Sequence, residues 1–313
     1  MSESTALRQA LLARLGPFPE RIAPEVIFES RTELPDHTRV LISYLVEPGE
    51  RITAWLLLPR EQPPVEGWPA ILAIHQHAGQ FDLGKSEPAG ISGNGAYGLE
   101  LCLRGYVVLC PDQLCFEDRR PSEDRRAQNS ALVGGAYERY EFTRRLLRGS
   151  SLQTKYLHDL SCSLDVLAAL PETDSSRLGA IGHSLGGQEA LWLSWFDERV
   201  KAAVSSCGFD LLTAIVEGEI NHNFAAYVPG MLELCDTDAL LASIAPRAFL
   251  LTAGENDSLF PIDGVHALAA TAQQAYTSAG VPDRFRAIIF PGGHSFPDDV
   301  KSEAYAFLDR WLR

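Results

Sequence analysis

The chain has 313 residues, of which 46% are hydrophobic and 22% are charged, and its formal net charge is −14 at pH 7. These proportions are those of an ordinary globular protein, so they exclude a disordered chain, a coiled coil and a collagen-like repeat. The negative charge argues against a nucleic-acid partner, because a protein that binds phosphate backbones needs a concentrated positive face. The closest approach to such a face is an arginine group that acidic residues interrupt: Arg119, Arg120, Arg125 and Arg126.

The spacing of the cysteines and the length of the apolar runs indicate in which compartment the protein acts and whether it needs a metal or cofactor. The six cysteines include no Cys-x-x-Cys pair, which would indicate a zinc site or a redox motif. Residues 1–16 lack the apolar segment of a signal peptide, and no apolar run approaches the ~20 residues that span a bilayer. We therefore expect a cytoplasmic protein with no membrane partner. No nucleotide-binding glycine motif follows a strand, so no cofactor is expected. The sequence leaves open whether the chain forms a homo-oligomer.

The amino-terminal part of the chain has an antiparallel β pattern. A short helix is predicted over Thr5–Leu15, before Gly16-Pro17. Alternating stretches at Glu25–Glu29, Arg39–Val46 and Thr53–Leu58 follow, with turn signals between them, and predict antiparallel strands. Residues 1–45 form an extension beyond the minimal fold, which either covers an edge of the sheet or contributes to an interface.

From residue 70 onwards, short apolar runs alternate with segments of helical periodicity. Continuous runs of this length are typical of strands that are buried on both faces of a parallel sheet. The alternation predicts βαβ units, and therefore an α/β fold with a mostly parallel central sheet flanked by helices. We interpret residues 1–313 as one domain. The predicted strands are Ala70–Ile74, Tyr106–Cys110, Leu178–Ile181, Val200–Ser205, Ala248–Thr252 and Ala287–Phe290.

Two connections, residues 112–150 and 208–243, are longer than a simple crossover needs. Long connections in a compact domain are usually functional, and ligands of open α/β sheets bind at the carboxyl ends of the strands. We therefore expect both insertions to line the site. Arg119 follows two acidic residues and either pairs with them or binds an acidic substrate. The residues expected to contact substrate are Phe116, Arg119, Phe209, Tyr227 and Met231.

A glycine-rich segment, Gly182-His183-Ser184-Leu185-Gly186-Gly187, stands between a predicted strand and a predicted helix. This is the Gly-x-Ser-x-Gly pattern of a nucleophile elbow in its strand–turn–helix context. Side chains at 182 and 186 would clash with neighbouring backbone, so glycine lets the turn hold Ser184 in a strained conformation at the top of the sheet. The helix that follows favours negative charge at its amino-terminal end. The segment predicts Ser184 as a nucleophile.

A serine hydroxyl needs a base that a third group orients. His294 follows one predicted strand in the segment Gly292-Gly293-His294, and Asp257 follows another. Loops just past parallel strands lie at the same edge of a sheet. We predict His294 as the general base and then acid, and Asp257 as the group that orients it. The alternative acids are Glu255, Asp263 and, one strand earlier, Asp210.

An oxyanion needs two hydrogen-bond donors near the nucleophile. One is expected to be the backbone N–H of Leu185, and the other to come from the loop after the strand at residues 70–74. In that loop we favour the N–H of His77, with Gln76 as the second choice. His75 and His77 are also spaced as a pair of metal ligands, but no third ligand is evident, so no metal site is predicted.

With these motifs in place, the sequence resembles the α/β-hydrolase superfamily over roughly residues 50–313. More narrowly, it resembles the dienelactone-hydrolase-related group, which includes acetyl xylan esterase-like serine carboxylesterases. The narrower resemblance rests on His75-Gln76, residues 84–90 and Cys110-Pro111-Asp112. Dienelactone hydrolases proper use a cysteine nucleophile, whereas position 184 is serine, which argues against dienelactone as the substrate.

The resemblance implies hydrolysis of a small-molecule carboxylic ester with a small to medium acyl group, through an acyl-enzyme on Ser184. Two alternatives would use the same three side chains. A serine peptidase or amidase of the prolyl-oligopeptidase-like branch is disfavoured, because no separate propeller domain is present to sieve peptides. Acyl transfer or C–C bond hydrolysis is the second. A non-catalytic binding protein is a hypothesis of a different class, and labelling of Ser184 distinguishes it from the enzymes.

Overall fold

The structure is a computed structural model that describes residues 3–313, with side chains from residue 5 onwards. In this part of the chain the strands are β1 (Ile27–Glu33), β2 (His37–Glu47), β3 (Glu50–Pro59), β4 (Trp68–Ile74), β5 (Val107–Pro111), β6 (Thr173–His183), β7 (Val200–Ser206), β8 (Ala248–Gly254) and β9 (Phe285–Phe290). The helices are α1 (Glu3–Leu15), α2 (Tyr97–Cys102), α3 (Glu123–Gln128), α4 (Gly134–Leu146), α5 (Leu152–Ala169), α6 (Leu185–Phe196), α7 (Leu212–Glu217), α8 (Thr237–Ala242), α9 (Ile262–Ser278) and α10 (Asp298–Leu312).

All these strands belong to one sheet, in the order β1-β2-β3-β5-β4-β6-β7-β8-β9. The pairs from β1 to β5 are antiparallel, and the pairs from β5 onwards are parallel. Every residue of β4, β5 and β8 is buried, as continuous apolar runs require. The sequence prediction of an α/β fold with a mostly parallel sheet and antiparallel amino-terminal strands is confirmed.

The amino-terminal extension contributes both a helix and an edge strand. Leu11 and Leu15 of α1 are buried in the main core, and Arg8 donates to the carbonyl of Trp195 at the end of α6. The predicted strand at Glu25–Glu29 is wrong in its bounds, because β1 begins at Ile27 and runs to Glu33. All of β1 is exposed at the edge of the sheet. Its ends are therefore not marked by apolar residues that the core requires.

The two long insertions begin at the carboxyl ends of β5 and β7. The first carries α3 and α4, and the second carries α7 and α8. Both therefore lie at the sheet edge where the residues after β6, β8 and β9 also meet. None of the helices in residues 3–313 combines the length and the apolar character that crossing a membrane requires.

Candidate active site

Ser184 lies at the sharp turn between β6 and α6. Its backbone has φ 55° and ψ −122°, a region that side-chain-bearing residues rarely adopt. A Cβ atom at Gly182 would lie 2.2 Å from the carbonyl of Gly186, and one at Gly186 would lie 1.9 Å from the carbonyl oxygen of Ile74. The turn can therefore form only with glycine at both positions, and it leaves the Ser184 side chain partly exposed at the sheet edge.

His294 connects Ser184 to Asp257 by two hydrogen bonds. Its Nε2 atom lies 2.8 Å from Ser184 Oγ, and its Nδ1 atom lies 2.7 Å from Asp257 Oδ2. A carboxylate only accepts, so Nδ1–H donates to Asp257 and Nε2 is left to accept from the serine hydroxyl. The structure therefore brings together the three side chains that the sequence analysis selected, in the geometry of a nucleophile, a base and an orienting acid.

The carboxyl group of Asp257 is held in its ionised form. Burial opposes ionisation, but hydrogen bonds from His294 and from the backbone N–H of Leu259 outweigh it and hold the pKa of Asp257 below its ordinary value. Glu255, a rival acid in the sequence analysis, is exposed to solvent. Asp210 accepts from the backbone N–H of Leu211 and makes no hydrogen bond to His294. Asp263 lies exposed in the first turn of α9. The contacts favour Asp257 over all three rivals.

Aromatic rings pack on both sides of the His294 imidazole. The His183 ring lies 4.9 Å from it and the Phe260 ring 5.8 Å, measured between ring centroids. Burial, and then the neighbouring His294, lower the pKa of His183 to about 3. His183 is therefore neutral at physiological pH, and its Nδ1 atom lies 3.1 Å from the carbonyl oxygen of Ser206. These contacts restrict the orientation of the His294 ring, and they place no charged imidazole beside it.

The two backbone N–H groups that the sequence analysis favours as oxyanion donors have no protein acceptor within residues 3–313. They belong to Leu185, at the start of α6, and to His77, in the loop after β4. The N–H of Gln76 instead lies 3.3 Å from Glu87 Oε2. Free donors of this kind are what an oxyanion requires, and the arrangement favours His77 over Gln76 as the second donor.

The side chains of His75 and His77 are both fully engaged. Nδ1 of His75 lies 2.8 Å from the Gln76 carbonyl oxygen, and its Nε2 accepts from the backbone N–H of Gln113. His77 Nδ1 accepts from the N–H of Gly79, and its Nε2 lies 2.9 Å from a carboxyl oxygen of Glu138 in α4. Neither ring has a nitrogen available to a metal ion.

Residues that carry the narrower family resemblance form hydrogen bonds that hold the segment after β4 in place. Lys85 Nζ, at 2% exposure, donates to Asp112 Oδ2 at 2.8 Å, to Glu117 Oε1 at 2.7 Å and to Asp118 Oδ2 at 2.8 Å. Asp112 also accepts from the backbone N–H of Lys85. The segment after β4 is thereby fixed to the carboxyl end of β5, next to the loop that carries His77.

Two of the residues expected to contact substrate do not do so. Arg119 is buried, and its guanidinium pairs with Asp159 at 2.8 Å and with Glu50. Its positive charge is therefore used inside the protein, and its predicted role in substrate binding is wrong. Phe116 is fully buried and packs against the rings of His77 and Phe81, so it supports the loop after β4 from below. Its predicted contact with substrate is also wrong.

The second insertion supplies a narrow cavity next to the three hydrogen-bonded side chains. The cavity has a volume of about 20 Å³, and Phe260 in its wall stacks on His294. Phe209 and Met231, which the sequence analysis placed near substrate, line it. Tyr227 instead lines a separate apolar groove, and its hydroxyl accepts from the N–H of His222.

The cavity-wall residues that the sequence analysis did not name include Gln188, His222 and Phe260. Gln188 follows the glycine-rich segment by one residue, so its place on the first turn of α6 was the available signal. His222 lies in an irregular part of the insertion, with no strand end or motif to mark it. Only the packing of that loop reveals its position.

The fold and the serine–histidine–aspartate arrangement define an α/β-hydrolase. Residues 56–313 match the model of the Dienelactone hydrolase family, and the chain belongs to that family. It is 30% identical to the putative hydrolase YtaP of Bacillus subtilis (strain 168), over 97% of this chain and 98% of that protein.

Two solved structures share the fold at low sequence identity. A putative acetyl xylan esterase from Bacteroides fragilis superposes with a TM-score of 0.72 at 18% identity, over 97% of this chain and 81% of that one. A glucuronoyl esterase from Solibacter usitatus superposes with a TM-score of 0.73 at 16% identity, over 98% of this chain and 92% of that one.

Proposed function

We propose that the protein is a serine hydrolase that cleaves carboxylic esters of small to medium acyl groups through an acyl-enzyme on Ser184. The observation that carries the proposal is the His294 imidazole, which lies within hydrogen-bond distance of both Ser184 Oγ and Asp257 Oδ2. Family membership supports hydrolysis, and the two structural neighbours are named as esterases.

In the first half of the reaction, Ser184 Oγ attacks the ester carbonyl carbon and its proton passes to Nε2 of His294. The N–H groups of Leu185 and His77 receive the negative charge that develops on the carbonyl oxygen. The tetrahedral intermediate then collapses, and the alcohol leaves with the proton from His294. Asp257 stabilises the imidazolium while it exists. The products of this half are the alcohol and the acyl-enzyme.

In the second half, a water molecule takes the place of the alcohol. Nε2 of His294 removes a proton from the water as its oxygen attacks the acyl carbonyl. The same proton returns to Ser184 Oγ when the carboxylic acid leaves. The cycle consumes one water and needs no group from outside the protein.

The test is the hydrolysis of p-nitrophenyl esters from acetate to octanoate by the wild type and by Ser184→Ala. We expect turnover with the shorter esters and a loss of about 10⁴-fold or more in the variant, because members of such a group act as a unit. A folded variant that kept more than a few per cent of the wild-type rate would contradict the proposal. A p-nitroanilide of the best acyl group tests the amidase alternative, since an esterase should turn it over far more slowly.

We also propose that the protein acts in the cytoplasm. The support is the state of its six cysteines, which are all free thiols and mostly buried. Proteins of oxidising compartments commonly pair their cysteines as disulfides. Cell fractionation with an antibody against the untagged protein tests this assignment.

A further inference from the structure

The narrow cavity beside the active site is lined by Asp210, one of whose carboxyl oxygens has no hydrogen-bond partner among the described residues. Asp210 follows β7 and is fully buried. Its Oδ1 accepts from the N–H of Leu211 at 2.7 Å, but its Oδ2 has no hydrogen-bond partner in the described part of the chain. The backbone of Gly264 packs against the carboxyl group so closely that a Cβ there would lie 2.2 Å from Oδ1. A buried polar atom left in this state is unfavourable, so the cavity is expected to hold a hydrogen-bond partner for it.

His222 lines the same cavity and has one ring nitrogen that receives no hydrogen bond from the described residues. Its Nε2 lies 2.9 Å from the carbonyl oxygen of Leu259, and because a carbonyl only accepts, the Nε2–H donates. Nδ1 is then an unprotonated acceptor, and no side chain or backbone group within residues 5–313 donates to it. Burial, and to a smaller degree the nearby His294, lower the pKa of His222. The imidazole is therefore neutral at pH 7 and accepts at Nδ1.

The other polar residues of the cavity already have partners. The hydroxyl of Thr237 donates to the Asp210 carbonyl oxygen at 2.7 Å. Gln188 accepts at Oε1 from Asn223 and donates from Nε2 to Glu189. The remaining lining is mostly apolar, with Trp192 and Phe209 among it. The polar atoms of the cavity wall that still lack a partner among the described residues therefore belong to Asp210 and His222.

The cavity lies one ring away from the reacting groups. Phe260 stands between His222, at 4.7 Å, and His294, at 5.8 Å, measured between ring centroids. A substrate whose ester carbon lies at Ser184 needs to extend only past Phe260 for a second group to enter the cavity. The volume of about 20 Å³ has room for a single oxygen-sized group, and not for an alkyl chain.

We propose that Asp210 and His222 form a subsite that binds one hydroxyl group of the substrate, so that the natural substrate is an ester that carries at least one free hydroxyl group. This inference rests on the proposed ester hydrolysis. A hydroxyl fits because the space admits one oxygen, which can accept from the protonated carboxyl group of Asp210 and donate its single proton to Nδ1 of His222. Burial raises the pKa of Asp210 to about 7, so near neutral pH the carboxyl group carries a proton in a large share of the molecules and favours a neutral hydroxyl over a cation.

The hydroxyl can belong to either side of the ester, and the test uses one substrate series for each. The first series is a monoacetylated methyl pentopyranoside and its deoxy analogues, each lacking one hydroxyl. The second is the methyl ester of a hexuronic acid and its deoxy analogues. The quantity measured is the ratio of kcat/KM for the hydroxylated ester to that for the deoxy ester. It is measured for the wild type, Asp210→Leu, His222→Phe and the control His266→Phe, which changes an exposed histidine on α9.

In the wild type we expect one deoxy position, in one of the two series, to lower kcat/KM by about ten- to a hundredfold, because its loss leaves a buried acceptor unpaired. The ratio at that position should fall to about one in Asp210→Leu and in His222→Phe, and should stay at the wild-type value in His266→Phe. A ratio that both site variants retain would overturn the proposal. So would a wild type that hydrolyses p-nitrophenyl acetate but shows no deoxy effect at any position.

A binding measurement covers the case in which Asp210→Leu does not fold. Ser184→Ala is titrated calorimetrically with the hydroxylated ester and with its deoxy analogue. The same titrations are then repeated with the double variant that also contains His222→Phe. We expect the deoxy analogue to bind Ser184→Ala more weakly by a similar factor, and this difference to disappear in the double variant. Equal affinities in Ser184→Ala would overturn the subsite. Absence of Ser184-dependent ester turnover would instead contradict the proposed function itself.

Discussion

His77 and Glu138 form a hydrogen-bonded pair that joins the loop after β4 to α4 in the first insertion. His77 Nε2 lies 2.9 Å from Glu138 Oε2, and the other carboxyl oxygen accepts from the N–H of Phe224 in the second insertion. Glu138 is 2% exposed. One buried carboxyl group thus joins both insertions to the loop that carries His77, whose N–H we propose as an oxyanion donor.

Glu138 should therefore affect catalysis without touching substrate. We expect Glu138→Ala to lower kcat for p-nitrophenyl acetate by about ten- to a hundredfold, because a small displacement of the His77 N–H weakens its contact with the oxyanion. KM should change much less. Glu138→Gln keeps an acceptor for His77 and should retain most of the rate. Equal losses in the two variants would show that the carboxylate does not act through this hydrogen bond.

The identity of the orienting acid is tested by Asp257→Asn. The amide cannot hold Nδ1–H of His294 and stabilise the imidazolium as the carboxylate does, so kcat should fall by about 10³- to 10⁴-fold. Glu255→Gln changes an exposed carboxyl group two residues away and should leave kcat close to the wild-type value. Steady-state rates with p-nitrophenyl acetate, with circular dichroism to check the fold, make the comparison. A larger loss in Glu255→Gln would reassign the acid.

The tight turn at Ser184 makes a prediction about stability. A Cβ at Gly186 would lie 1.9 Å from the Ile74 carbonyl oxygen, which is backbone and cannot rotate away. Gly186→Ala should lower the free energy of unfolding by about 3 kcal/mol or more. Gly135→Ala, where the nearest atom to the new Cβ is 3.8 Å away, is the matched control and should not destabilise. Urea denaturation measures both, and a stable Gly186→Ala would contradict the geometry of the turn.

Glu189 should make the stability of the protein depend on pH. It is fully buried on α6, and burial raises its pKa to about 8 even though Gln153 and Gln188 donate to it. Its ordinary pKa is 4.5. Between these two pH values the unfolded chain has released the proton and the folded chain has not, so the free energy of unfolding falls as the pH rises.

Glu189→Gln removes this effect and keeps the shape of the side chain. We expect the variant to equal the wild type near pH 4.5 and to exceed it in stability by about 2 to 5 kcal/mol at pH 8. Urea denaturation at several pH values provides the measurement. A stability difference that stays constant with pH would show that Glu189 is ionised in the folded protein.

The strands of the core and the three hydrogen-bonded side chains could be predicted because local patterns determine them. Continuous apolar runs mark β4 and β8, and the glycines around Ser184 mark a turn that other residues cannot form. His294 and Asp257 follow from the rule that loops after parallel strands share one sheet edge.

The residues that were predicted wrongly or missed depend on distant partners. Arg119 pairs with Glu50, far away in the chain, and nothing near Arg119 signals that contact. Phe116, in the first insertion, packs against the ring of His77. His222, in the second insertion, lines the cavity. Irregular segments have no periodicity to read, so their side chains can be placed only by packing.

The covalent step on Ser184 is the central claim, and a fluorophosphonate probe tests it most directly. Intact-protein mass spectrometry of the wild type, followed by peptide mapping, should show one phosphonyl group on the peptide that contains Ser184. The reaction should slow by several powers of ten in His294→Ala and should be absent in Ser184→Ala. A folded wild type that remains unlabelled at Ser184 while it hydrolyses esters would contradict the account.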